Sequence, residues 1–131
     1  MDTVFLDASV LFSAAYRSGA LVAKLWGLQS VQLISSAYAV DEANRNLDND
    51  AQRTRLAQLV TPMGIVAAGV ITPLPDWVAL PDKDKPILQA AIAGHATHLL
   101  TSDVKHFGPY FWQAVEGVTI LPPAGYLKGK I

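Results

Sequence analysis

The feature that most limits the folds open to this chain is an alternation of short apolar runs with stretches of helical period. Val4-Phe5-Leu6, Val31 to Ile34, His98 to Thr101 and Val118 to Leu121 are too short for stable helices and read as strands. Between them, apolar residues recur three and four positions apart. Asp7-Ala8-Ser9 opens a short helix through Val10, Leu11 and Phe12. Ser18 is placed to cap a segment carrying Leu21, Val22, Leu25 and Leu28, and Ser35 or Ser36 a helix to about Leu47 with Val40, Ala43 and Leu47 inward. Asp50 is expected to cap a further helix with Leu56, Leu59 and Val60 inward. Asp84 starts another, with Pro86 in its first turn, Ile87, Leu88 and Ala91 inward and Gly94 at its end. The Pro- and Gly-rich stretch 61–82 is the least readable, and Val70-Ile71-Thr72 is its best strand candidate. Strands separated by helices predict an α/β fold with a central parallel sheet covered on both faces.

The length, 131 residues, suits one domain spanning 1–131, with no repeat or linker in view. No cysteine is present, which removes disulfides, thiolate metal sites and cysteine nucleophiles; a cytoplasmic location is the simplest expectation. Neither a signal-peptide pattern nor an uncharged run of membrane-spanning length occurs, so no membrane association is expected. The formal net charge of −1 argues at first against a nucleic-acid partner. If four of the acids share one site, ten basic residues stand against seven acidic ones elsewhere, and that objection weakens.

Four acids fall where a parallel sheet gathers its ligands. Asp7 and Asp103 directly follow predicted strands, Asp84 opens a helix, and Glu42 lies in the first two turns of another. Ligands in such folds bind beyond the carboxyl ends of the strands. Converging carboxylates repel unless a cation lies between them, and Mg²⁺ or Mn²⁺ prefers oxygen ligands. Such a cluster suits metal-assisted hydrolysis of a phosphodiester. Each acid alone also has an ordinary explanation. Asp7, Asp84 and Asp103 are at positions for helix N-caps, and Glu42 can pair with Arg45 or Asn46 along its helix.

The order of these motifs is similar to that of PIN domains. VFLDASVLFSA resembles their opening strand and Asp, SAYAVDEANRNL their helical Glu, and DKDKPILQAAIAGHATHLLTSD their third and fourth motifs. The resemblance runs from Val4 to about Phe107. It implies a PIN-like three-layer α/β/α fold and a Mg²⁺- or Mn²⁺-dependent ribonuclease whose metal-binding and catalytic acids are Asp7, Glu42, Asp84 and Asp103. It further implies a VapC-like toxin of a type II toxin–antitoxin pair, with an RNA substrate, a cognate antitoxin and a homodimeric state. The chain departs from the pattern twice. Val104-Lys105-His106-Phe107 stands where many relatives carry a further acid, and residues 62–82 match no motif. One metal is therefore expected, with a second left open.

Around the acids, Ser9, Thr101 and Ser102 can donate hydroxyl hydrogen bonds to carboxylates, and Asn46 lies one turn after Glu42 on the same face. Lys83, Lys85, Lys105 and His106 are candidate contacts for RNA phosphates. Asp82 reads as a solvated loop acid. Trp26, Trp77 and Trp112 read chiefly as core or interface residues, with Phe111-Trp112 the exposed-looking pair. The competing function is a non-catalytic PIN-like module that binds RNA or protein. Phosphotransfer of the receiver or haloacid-dehalogenase type is disfavoured, because Ala8 and Ser9 occupy the positions where those chemistries need a second acid. No glycine-rich nucleotide loop follows any strand.

Overall fold

The sheet is built from β1 (Asp2–Leu6), β2 (Val31–Ser36), β3 (Gly64–Val66), β4 (His98–Leu100), β5 (Ala114–Val115) and β6 (Val118–Leu121), in the order β3-β2-β1-β4-β6-β5. The structure, a computed structural model, describes residues 1–67 and 72–130. All neighbouring strands are parallel except β5, which runs antiparallel to β6. The helices are α1 (Ala8–Tyr16), α2 (Ala37–Asn46), α3 (Asp50–Val60), α4 (Lys85–Ala93), the single turn α5 (Val104–Phe107) and α6 (Pro123–Leu127). The predicted α/β fold with a central parallel sheet is the one observed.

Val4, Phe5 and Leu6 are fully buried, and Leu99 and Leu100 lie beside them. A strand buried on both faces carries a continuous apolar run rather than an alternating one, which is how these segments read in sequence. The chain steps from β1 to β2 to β3 in one direction, then crosses back through α4 to place β4 on the other side of β1. Right-handed crossovers in opposite directions put their helices on opposite faces. The strand order thus reverses between β1 and β4, and the crevice at their carboxyl ends is where a ligand site is expected in such a sheet.

Several local expectations need correction. Leu21–Gly27 is a 3-10 helix that begins after Ala20 and has no side-chain cap, so Ser18 does not cap it. Asn49, not Asp50, caps α3, accepting from the Gln52 N–H at 2.9 Å. The opening helix runs on to Tyr16, four residues beyond Phe12. The two-residue β5, the three-residue β3 and helix α6 were not expected at all. Ser36 does cap α2, accepting from the Ala39 N–H at 3.2 Å. Of the proposed strand at 70–72, Val70 and Ile71 lie outside the described residues, and Thr72 is in no regular element. Among the described residues, no helix is long and apolar enough to cross a membrane.

Candidate metal centre

Asp7 leaves β1 at its carboxyl end and caps α1, its Oδ1 accepting from the Ala8 N–H at 2.6 Å. Its second oxygen accepts from the Thr101 hydroxyl at 2.6 Å and, more distantly, from the Ser9 hydroxyl at 3.4 Å. Thr101 is fully buried at the end of β4, and its Oγ1 also accepts from the Asp103 N–H at 3.1 Å. One hydroxyl therefore links two of the acids. Ser9 Oγ in turn accepts from the Ser102 N–H at 3.0 Å, joining the loop after β4 to the start of α1. Ser102 is exposed and joins this network through its backbone N–H rather than its hydroxyl.

Asp103 caps α5, its Oδ1 accepting from the His106 N–H at 3.1 Å. Its Oδ2 lies 2.8 Å from His106 Nδ1. Asp84 precedes α4 in a helix-like conformation, and its side chain makes no capping bond. The capping explanation thus holds for Asp7 and Asp103 and fails for Asp84. Asp84 Oδ1 meets the Lys83 ammonium at 3.5 Å. Its Oδ2 is buried and receives no hydrogen bond from the described residues. His106 Nδ1 approaches that oxygen to 3.1 Å, close enough for an ion pair but not in hydrogen-bonding geometry.

Asp7, Ser9, Asp84 and Asp103 line one cleft of about 350 Å³, together with Ala8, Phe12, Lys83 and, from α2, Glu42 and Asn46; Thr101, Ser102 and His106 are not part of that lining. Glu42 is half-buried and Asn46 exposed. The predicted cations divide. Lys83 lies on the cleft, whereas Lys85 is paired with Asp82 at 3.2 Å, and exposed Lys105 is not part of the lining. A larger cavity of about 770 Å³ surrounds Met1, Gly27, Gln29 and Lys130, but its one carboxylate, Asp2, is engaged by the Tyr126 hydroxyl at 2.6 Å. The smaller cleft is the one that gathers the four predicted acids.

The electrostatics of the acids differ. Burial pushes the Asp7 carboxyl above its ordinary range; the Thr101 and Ala8 hydrogen bonds oppose this, and the charges of Glu42 and Asp84 add to it. Burial also opposes ionisation of Asp103, but the backbone N–H and ring of His106, with the charge of Lys83, outweigh it and hold that carboxyl below its ordinary range. A bare, buried carboxylate oxygen is costly without a partner. A divalent cation fits this donor set: Asp84, Asp103 and His106 each offer one ligand atom, and the three atoms lie within 4.8 Å of one another. Sequence named His106 only as a phosphate contact; its place beside the Asp84 and Asp103 carboxylates was not anticipated, although Asp-x-x-His over a helical turn is a spacing that places both on one face.

A family model described as the PIN domain matches residues 3–105, ending one residue before His106. The chain is also similar in structure to one from the crystal structure of VapBC2 from Rickettsia felis bound to a DNA fragment from their promoter. The TM-score is 0.60 and the identity 13%, with 92% of this chain and 98% of that chain covered. At that identity the likeness speaks for the fold. No curated protein matches this sequence.

Proposed function

The chain belongs to the PIN domain family, and on that premise we propose that it is a Mg²⁺- or Mn²⁺-dependent endoribonuclease, the toxin of a toxin–antitoxin pair. The observation that carries the reading is the Asp84 Oδ2 atom, buried beside the other carboxylates without a hydrogen-bond donor among the described residues. Asp7, Asp84 and Asp103 would hold the cation, and Glu42 would ligate it or orient the attacking water. When bound, the cation supplies Lewis-acid polarisation of the phosphodiester and of water. Thr101 and Ser9 keep the Asp7 carboxylate aimed into the cleft through the bonds described above. Lys83, at the cleft wall, is placed to receive a substrate phosphate, with Lys105 further out. Cleavage is then an in-line hydrolysis with no covalent enzyme intermediate. The whole chain acts as one catalytic domain in this reading. The likeness to a VapBC2 chain supports a cognate antitoxin as its partner, and a homodimer is part of the same proposal.

The test is to incubate purified protein with a broad pool of single-stranded and structured RNAs in Mg²⁺ or Mn²⁺, alone and with a chelator. Cleavage should require the metal and be lost in Asp7→Asn and Asp103→Asn. Cleavage that survives chelation, or full activity in either variant, would overturn the mechanism. Metal binding without cleavage of any RNA would favour a non-catalytic binding module instead.

A further inference from the structure

We propose that His106 is itself a ligand of the cation, so that this centre mixes nitrogen and oxygen donors and discriminates for Mn²⁺ over Mg²⁺. The inference rests on reading the carboxylates as a metal centre and adds to it a ligand and a preference. Asp103 caps the single turn α5, and that cap sets the position of His106 three residues on. The ring is thereby delivered with Nδ1 at 2.8 Å from Asp103 Oδ2 and 3.1 Å from Asp84 Oδ2.

A proton on Nδ1 cannot serve both carboxylates. An imidazole nitrogen carries at most one hydrogen. Asp103 Oδ2 has the hydrogen-bonding geometry to receive it, and Asp84 Oδ2 is left bare although Asp84 is only 8% exposed. A cation held by all three atoms satisfies that oxygen and uses the Nδ1 lone pair. The spacing agrees with this. Two donors each about 2.1 Å from an ion, at right angles, lie roughly 3.0 Å apart. The two observed separations, 2.8 and 3.1 Å, fall on either side of that value. Lys83 approaches Asp84 through the other oxygen, Oδ1, and leaves Oδ2 free for this role.

Donor chemistry gives the preference. Mg²⁺ favours oxygen and gives up water reluctantly, whereas a first-row transition ion such as Mn²⁺ accepts an imidazole nitrogen more readily, though less so than the later members of the row. Replacing one oxygen donor by Nδ1 therefore weakens Mg²⁺ relative to Mn²⁺.

The experiment uses the full chain loaded with Mn²⁺ and pulsed electron paramagnetic resonance, on protein made with ordinary and with ¹⁵N-labelled histidine. A ligating ring gives a nitrogen modulation that changes on labelling, and this wild-type comparison does not depend on any variant folding. Calorimetric titrations then compare wild type with His106→Asn. The expected result is loss of the nitrogen modulation and an Mn²⁺ affinity lower by about tenfold or more, with a smaller loss for Mg²⁺. Mn²⁺ bound without histidine modulation, or an unchanged Mn²⁺/Mg²⁺ ratio in the variant, would overturn the ligand role and leave the carboxylate centre standing. Failure of the wild type to bind Mn²⁺ at all would overturn both.

Discussion

Asp7 shows how a single side chain can be kept at some cost to the fold. Its carboxyl is 6% exposed and sits near two other acids, so burial first and their charges second raise its ionisation range in the folded chain. A group whose folded value lies above its unfolded one favours folding below the ordinary 3.8 and loses that contribution as pH rises through the raised value. At pH 7 in chelator, Asp7→Asn should therefore be the more stable protein, by roughly 1 kcal/mol or a few degrees of Tm. The gap should close on titration towards pH 4, and the variant should cleave no RNA. Thermal melts of both proteins across that range check it, and a variant less stable than wild type at pH 7 would count against the electrostatic account. The same residue illustrates what sequence could show. Its place after an apolar strand marked it as a site acid, but its bond to Thr101, ninety-four positions away, depended on which strand lies beside β1.

At the scale of elements, the end of α4 meets the sheet at the shortest approach found for any described glycine. A Cβ at Gly94 would stand 2.7 Å from Val66 Cγ2 and 3.0 Å from Ile34 Cδ1, so the end of this helix lies directly on β2 and β3. Gly94→Ala should overpack that contact and cost about 1–3 kcal/mol, read as a lower urea midpoint with an unchanged slope. An unshifted midpoint would mean that the strands yield freely. Because Asp84 lies at the other end of α4, the variant also tests whether the site depends on the seating of that helix. Sequence identified Gly94 only as a helix terminator; the close approach to the sheet was hidden because it involves residues about thirty and sixty positions away. The missed elements have a related cause. β3 and β5 have three and two residues, too few to set up a periodicity. The 3-10 helix at Leu21–Gly27 has apolar spacing that an α-helix would share. Asp84 was legible as a helix opener, but only the structure shows that its side chain leaves the cap unmade.

Across the whole molecule, the first strand and the last helix are tied together at the amino end of β1, the end away from the cleft. The Tyr126 hydroxyl donates to Asp2 Oδ2 at 2.6 Å, with Lys130 over the Tyr126 ring and the His98 ring against its edge. Burial, reinforced by the bond to Asp2, raises the ionisation range of this phenol. Its contribution to stability is full below pH 10.0, the ordinary tyrosine value, and declines as pH rises beyond it. Tyr126→Phe should cost about 1 kcal/mol at neutral pH and should show a shallower fall in stability above pH 10 than wild type. Denaturation midpoints at neutral and alkaline pH decide the matter; identical alkaline profiles would remove Tyr126 from the account.

By itself the sequence determined the alternation of strand and helix, the apolar runs that become central strands, and the acids that end them. These are local properties, set by side-chain period and capping chemistry over a few residues. Tertiary structure alone decided that β4 returns beside β1, that Thr101 joins Asp7 to Asp103, and that His106 Nδ1 stands between Asp84 and Asp103. Those relations depend on crossover direction and strand register, which the whole core selects. They convert four separable acids into one cleft with a buried carboxylate oxygen that no described residue hydrogen-bonds.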